Sequence, residues 1–281
     1  MQKLLRRLQA KSNYSREKVF SYQEVIRSDQ ETFVIDLLTS HDDKKLQQTC
    51  DFLSAVFGPE MDDPEKILNE WIFDQNIAYH AISNGNGKVI AAANSSYMPL
   101  ENDEGILAVW YVAVDPEFRG RRLANELYQS IYQFALDRAE DQGSNVKAIV
   151  GEASHQEIQT IEQVLRREEI ARKRVYYQST TGMKEVPYVS PPLRWDCETG
   201  APLEEAQAHH LMIKLVDGKE QMPAQELLQI IKAIYRDSYF PRENDFRGKE
   251  AYDKVSVVVD EYLKTIEDAL ADAVDGEVFL R

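Results

Sequence analysis

Cysteine is nearly absent from this chain of 281 residues: Cys50 and Cys197 are its only two. That excludes a disulfide framework and makes a reducing compartment, the cytoplasm, the default expectation. Long apolar runs are missing too, and none approaches the roughly 18 residues that a membrane span needs. Positive charge is in short supply, with 33 Lys and Arg against 48 Asp and Glu and a formal net charge of −15. Sequence-independent nucleic-acid binding, which rests on a broad basic surface, is therefore not expected. An acidic surface suits a cationic small molecule or peptide better, although most such surfaces serve solubility alone. Internal repeats and long low-complexity linkers are also lacking. The scarce basic residues are unevenly placed. Five fall in "MQKLLRRLQAKSNYSR", before the first acid at Glu17. This segment has no apolar core or small-residue cleavage site, so it reads as a basic arm over 1–29 rather than a secretory signal.

What is present reads as alternating strands and helices. "TFVIDLL" (32–38) is a strand, and Leu46, Cys50, Leu53 and Phe57 recur at helical spacing from Lys44. "FGPEMDDP" breaks that helix before a short one at "EKILNEWIF". "NIAYHAIS" and "KVIAAANSSYM" flank Asn84-Gly85-Asn86-Gly87, a hairpin signal because Asn and Gly tolerate positive φ. "ILAVWYVAV" (Ile106–Val114) is apolar without alternation, as a strand buried on both faces should be. Leu123, Leu127, Ile131 and Ala135 then form one helical stripe ending at Gly143. A strand at "VKAIVGEAS", a long polar helix over 155–177, a strand at "HHLMIKLV" and amphipathic helices near 223–239 and 249–274 complete the chain.

The turn inside "VAVDPEFRGRRLANELY" (112–128) sets three arginines between a buried strand and a helix start. The first N–H groups of a helix lack intrahelical partners, and the helix dipole adds partial positive charge there. Gly120 lets the backbone approach a bulky ligand, and Arg119, Arg121 and Arg122 supply fork-shaped donors suited to phosphate. Read blandly, the same residues are a solvated turn pairing with nearby acids. The strand-turn-helix context favours the anion site.

These residues resemble the acyl-CoA motif of the GNAT superfamily of N-acyltransferases, whose pattern is Arg or Gln, two residues, Gly, one residue, then Gly or Ala. Here it falls on Arg119, Gly120, Arg121, Arg122, Leu123 and Ala124, with Arg122 where the family's inner glycine stands. The resemblance implies that main-chain N–H groups of 119–124 hold the pyrophosphate of acetyl-CoA and that Val112 and Val114 pair with the pantetheine amides. It further implies an α/β fold with a mixed, mostly antiparallel central sheet flanked by helices. The likeness covers about residues 30–216, leaving 217–281 as a helical extension packed on the same domain. A second likeness lies in "RKRVYYQSTTGMKEVPYVSPPL", similar to the family's stretch in which a tyrosine precedes a Gly-aromatic pair. Here that pair is Gly182-Met183.

Transfer of an acetyl group from a thioester to a primary amine needs a neutral amine, a stabilised oxyanion and a protonated leaving thiolate. A carboxylate or water chain serves the first, strand N–H groups the second, and a tyrosine the third. Tyr177 is the candidate acid, with Tyr176 as its alternate; either reads equally as a packing aromatic. Glu152, just after "VKAIV", is the candidate base; it reads equally as a solvated strand-end carboxylate. Glu101, Asp103 and Glu104 are weaker candidates in a polar loop. No His, Cys, Asp and Glu constellation at ligand spacing accompanies His209-His210, so no metal is expected. Cys197 and the pair Ser154-His155 lack the partners a nucleophile needs. Acetyl-CoA as co-substrate and an amine acceptor of cationic type are thus the expected partners. The aromatic stripes of the C-terminal helices read as simple packing on the catalytic domain or, more sharply, as a wall for the acceptor site or a homodimer surface. A GNAT-like acyl-CoA-binding module without turnover is the alternative to an enzyme.

Overall fold

A computed structural model of the chain describes residues 23–28, 31–38, 43–57, 76–154, 178, 181–190, 199, 209–236, 248–271 and 276–280. The chain divides into two compact units. One comprises residues 1–97 with 109–143, the other 98–108 with 144–281.

In the first unit, β1 (Gln23–Ser28), β2 (Glu31–Leu38), β3 (Ile77–Ser83) and β4 (Val89–Pro99) are neighbours in that order, followed by the later half of β5 (Glu104–Val114). The pairs β1/β2, β2/β3 and β3/β4 are antiparallel. β1 lies within the segment read as a basic arm, where "QEVIRS" had no flanking turn signal strong enough to announce a strand. The Asn-Gly hairpin forms as expected. Asn84 N–H bonds the Lys88 carbonyl, and Gly87 takes φ +78°. α1 (Asp43–Phe57) turns Leu46, Cys50, Leu53 and Phe57 onto Leu38, Tyr79, Ala81 and Ala92 of the sheet. Its spacing of three and four residues is what keeps those side chains on one face. α2 (Leu123–Gln142) buries Leu123, Leu127, Ile131 and Ala135, the stripe legible in the sequence, together with Phe134. Truncating Phe134 to alanine in such a fully enclosed position would cost about 3–5 kcal/mol.

In the second unit, the first half of β5 is followed by β6 (Asn145–Ser154), β8 (His209–Leu215) and β7 (Lys184–Ser190). β8 runs antiparallel to both β6 and β7, so it inserts between two strands that precede it in sequence. The Asn145 N–H donates to the Asp103 carbonyl at 2.9 Å. That bond sets the beginnings of β5 and β6 side by side, as a parallel pair requires. The expected mixed, mostly antiparallel sheet is therefore present. The C-terminal segment holds α3 (Ala224–Ile234) and α4 (Lys249–Ala271), packed through Tyr235 and Tyr262, whose ring centroids are 5.2 Å apart. It is not wholly helical. β9 (Gln221–Pro223) pairs with β10 (Glu277–Phe279), strands too short to leave a periodic signal. The helices expected at 65–73 and 155–177 lie outside the described residues.

Candidate functional site

The site begins where β5 surfaces. Its residues Ile106–Val109 are buried, whereas Trp110, Tyr111 and Val112 are each half-buried before Ala113 closes in again. Asp115 follows and fixes the turn. Its Oδ1 accepts the Glu117 N–H at 3.0 Å, its Oδ2 pairs with Lys88 Nζ at 3.2 Å, and its own N–H bonds the Ile90 carbonyl. The Glu117 N–H, and secondarily Lys88, hold the Asp115 carboxyl below the usual carboxylate range. One short 3-10 turn, Pro116–Phe118, then delivers the chain to the arginines.

Arg119, Gly120, Arg121 and Arg122 are all exposed, while Leu123 anchors the start of α2 in the core. The arginines are differently engaged. Arg119 Nε lies 3.4 Å from the Val114 carbonyl, and the Arg121 guanidinium sits over the Phe118 ring at 4.9 Å. Gly120 has φ +82° and Arg122 has φ +62°, ψ +16°. Arg122 thus occupies the left-handed region that the family's inner glycine would enter freely. The turn keeps that path with an arginine, at a strain of about 1 kcal/mol. Left-handed residues in a turn are an ingredient of the backbone concavities that bind anions. Val112, Val114 and the turn 119–124 therefore come together in one unit as a continuous strand-turn-helix.

α2 is pinned behind the turn by a device with no local sequence signal. His80 on β3 is fully buried, with Nδ1 2.8 Å from Ser130 Oγ on α2 and Nε2 2.9 Å from Ser95 Oγ on β4. The partners are 50 and 15 residues away, beyond the reach of any spacing rule. Burial pulls the His80 pKa down to about 3, so the imidazole is neutral and can both donate and accept along this chain. Cys50 is likewise enclosed, and burial pushes its thiol up to about 12, which removes it from nucleophilic chemistry.

Glu152 belongs to the second unit, on β6 opposite Leu211 of β8. The residue keeps partial contact with solvent, yet its carboxyl lies deep enough that burial pushes its pKa up to about 8. A simple solvated strand-end carboxylate would show no such shift. Two of the weaker candidate acids, Glu101 and Glu104, are engaged elsewhere. Glu104 and Glu226 each contact Lys147 Nζ at 2.8 Å, and Glu101 accepts from Gln229 at 3.1 Å. Burial pulls the Lys147 pKa down, but those two hydrogen bonds outweigh it and hold the ammonium above its usual value. Gly182 takes φ +71° and Met183 is buried, so the Gly-Met pair makes a turn into β7. Tyr176, Tyr177 and Cys197 lie outside the described residues. Among the described residues no group of His, Cys, Asp and Glu is arranged to hold a metal ion, and no helix is long and apolar enough to cross a membrane.

Comparison with known proteins bears on this arrangement. No curated protein matches the chain. Among solved structures, NAA60 of Arabidopsis thaliana in complex with acetyl-CoA is 8% identical and covers 66% of this chain and 99% of its own, at a TM-score of 0.45. Ard1 from Thermoplasma volcanium is 12% identical, covering 66% and 97%, at 0.39. An aminoglycoside acetyltransferase from an uncultured soil metagenomic sample, in complex with trehalose, is 19% identical, covering 49% and 85%, at 0.34. The model of the acetyltransferase (GNAT) family matches residues 46–163, a span that contains β5, the arginine turn and α2. Residues 46–163 are thus similar to the acetyltransferase (GNAT) family, over less than half of the chain.

Proposed function

We propose that the protein is an N-acetyltransferase that moves the acetyl group of acetyl-CoA to a primary amine by direct attack in a ternary complex. The observation that carries the reading is the turn 119–124. Its two left-handed residues and exposed arginines stand at the start of α2, inside the family match. Backbone N–H groups of Arg119–Ala124 bind the pyrophosphate, and the guanidinium groups add charge. Val112 and Val114 on β5 hold the pantetheine amides, which brings the thioester beside the half-open stretch of that strand. The amine must lose a proton to attack. Glu152 takes it, directly or through water, and Tyr177 returns one to the departing thiolate. With a pKa near 8, Glu152 is mostly protonated at neutral pH, so the rate rises on the alkaline side. The acceptor is an amine, with the net charge of −15 favouring a cationic one.

A protonated Glu152 also favours a second reading, a module that holds acyl-CoA without turnover. Two measurements separate the readings. Acetyl-CoA should raise the melting temperature of the purified protein, and thiol release should follow addition of an amine from a broad panel. Protection without thiol release at any pH from 6 to 9.5 would support the binding module. No protection at all would remove both.

A further inference from the structure

Asn94 lies near the middle of β4, directly across from Tyr79 on β3. Only 1% of it is exposed, yet neither its Oδ1 nor its Nδ2 has a hydrogen-bond partner. A carboxamide in that state has given up water at both ends and recovered nothing, which is an expensive arrangement for a folded protein to keep. The adjacent Ser95 provides the contrast, because its hydroxyl on the opposite face is satisfied by His80. Polar residues on β4 can find partners; Asn94 is left with none.

Its position is informative. The register places Asn94 on the same sheet face as Tyr79, Ala81 and Ala92, beneath α1. Two residues further on, Ser96 Oγ accepts from Trp110 Nε1 at 2.9 Å, and Tyr111 packs against the same face with its ring 5.0 Å from Phe57. Asn94 therefore stands beside residues 110–112, where β5 is half-open to solvent although its preceding residues are buried. Val112, at the end of that stretch, is where the acetyltransferase reading puts the thioester end of the cofactor.

We propose that Asn94 determines acceptor specificity. Its carboxamide, reached past the half-open 110–112 stretch, hydrogen-bonds a neutral group of the acceptor that both donates and accepts, next to the reacting amine. A hydroxyl or a peptide amide has that character, and a bare polyamine does not. The carboxamide offers one donor end and one acceptor end and no charge, so it rewards a matched neutral partner and leaves its own groups unmet when the partner is missing. The inference rests on the acetyltransferase reading and sharpens its acceptor.

The test compares wild type with Asn94→Leu, which keeps the size and removes both hydrogen-bonding ends, and with Asn94→Ser, which restores a hydroxyl. Thiol release from acetyl-CoA is followed with glucosamine, with a short peptide bearing a free N-terminal amine, and with spermidine. Wild type should prefer glucosamine or the peptide over spermidine by tenfold or more in kcat/KM; which of the two it prefers distinguishes hydroxyl from amide. Asn94→Leu should lose at least tenfold on that preferred acceptor through KM and stay within twofold on spermidine. Its affinity for acetyl-CoA should also stay within twofold, and its melting temperature should not fall. Asn94→Ser should recover part of the loss. The inference is overturned if Asn94→Leu equals wild type on every acceptor, as a buried structural water would give, or if it loses equally on all three. A wild type protected by acetyl-CoA that acetylates only spermidine, or nothing in the panel, overturns it as well. Absence of any acetyl-CoA protection would instead remove the acetyltransferase reading itself.

Discussion

Replacing Glu152 by glutamine removes an ionisation while keeping the side chain's shape, and the consequence depends on pH. The folded carboxyl titrates near 8 because burial penalises its charge, whereas in the unfolded chain it returns to the ordinary value of 4.5. Between those values the native state holds a proton that the unfolded state has released. Native stability therefore falls as pH rises, by up to about 1.4 kcal/mol per pH unit. Glu152 retains some solvent contact, so roughly half of the full effect, on the order of 2 kcal/mol between pH 5 and 8.5, is the expected size. The contribution is fully present below pH 4.5, is lost through the window, and is constant again above about 8. Glutamine cannot ionise and escapes the loss. Urea unfolding followed by circular dichroism at pH 5, 6.5, 8 and 8.5 should show Glu152→Gln gaining on wild type steadily across that range. A stability difference that stays flat from pH 5 to 8.5 would refute the reasoning, since it would place the carboxyl at an ordinary pKa. The same titration should appear in catalysis as a kcat/KM that rises with an apparent pKa near 8 in wild type and is strongly reduced in Glu152→Gln.

His80 carries the opposite sign. Its folded pKa near 3 lies below the ordinary 6.5, so stability should fall as pH drops from 6.5 towards 3. His80→Leu should flatten that acid limb, while stranding the Ser95 hydroxyl at a cost of about 1–3 kcal/mol, read from urea midpoints at pH 7 and pH 4.5. Arg122→Gly should relax the left-handed position and raise the melting temperature by roughly 2–4 °C for about 1 kcal/mol, yet weaken acetyl-CoA about tenfold in a calorimetric titration. A variant that gains stability and binds as well as wild type would show that the Arg122 guanidinium takes no part in binding. Cys50, enclosed and with its thiol near 12, should resist a thiol reagent in the native protein. Cys50→Ser should leave the native labelling rate unchanged and lower only the total reached in denaturant.

Particular elements show what kind of information each level holds. The buried run of β5, the stripe of α2, the Asn-Gly hairpin and the arginine turn were legible because each depends on residues within a few positions of one another. Period, turn chemistry and motif spacing are local properties, and they carried the reading as far as an acyl-CoA cradle. β1 had too little pattern to be seen, and the insertion of β8 between β6 and β7 is a pairing across distant segments that no period encodes. The same limit applies at the site. The sequence could nominate Glu152 by position, but only packing decides how much water its carboxyl keeps, and hence a pKa near 8. It could note an arginine in a glycine place, but only the folded turn shows Arg122 in the left-handed region. His80 and Asn94 carry no sequence signal because their roles lie wholly in what surrounds them: one enclosed between two serines, the other enclosed with no hydrogen-bond partner for its carboxamide. The sequence by itself determined which residue types stand at the cradle and in what order. Tertiary structure decided their solvation, their backbone strain and which buried polar groups were left unmet, because those quantities are set by neighbours brought together from far along the chain.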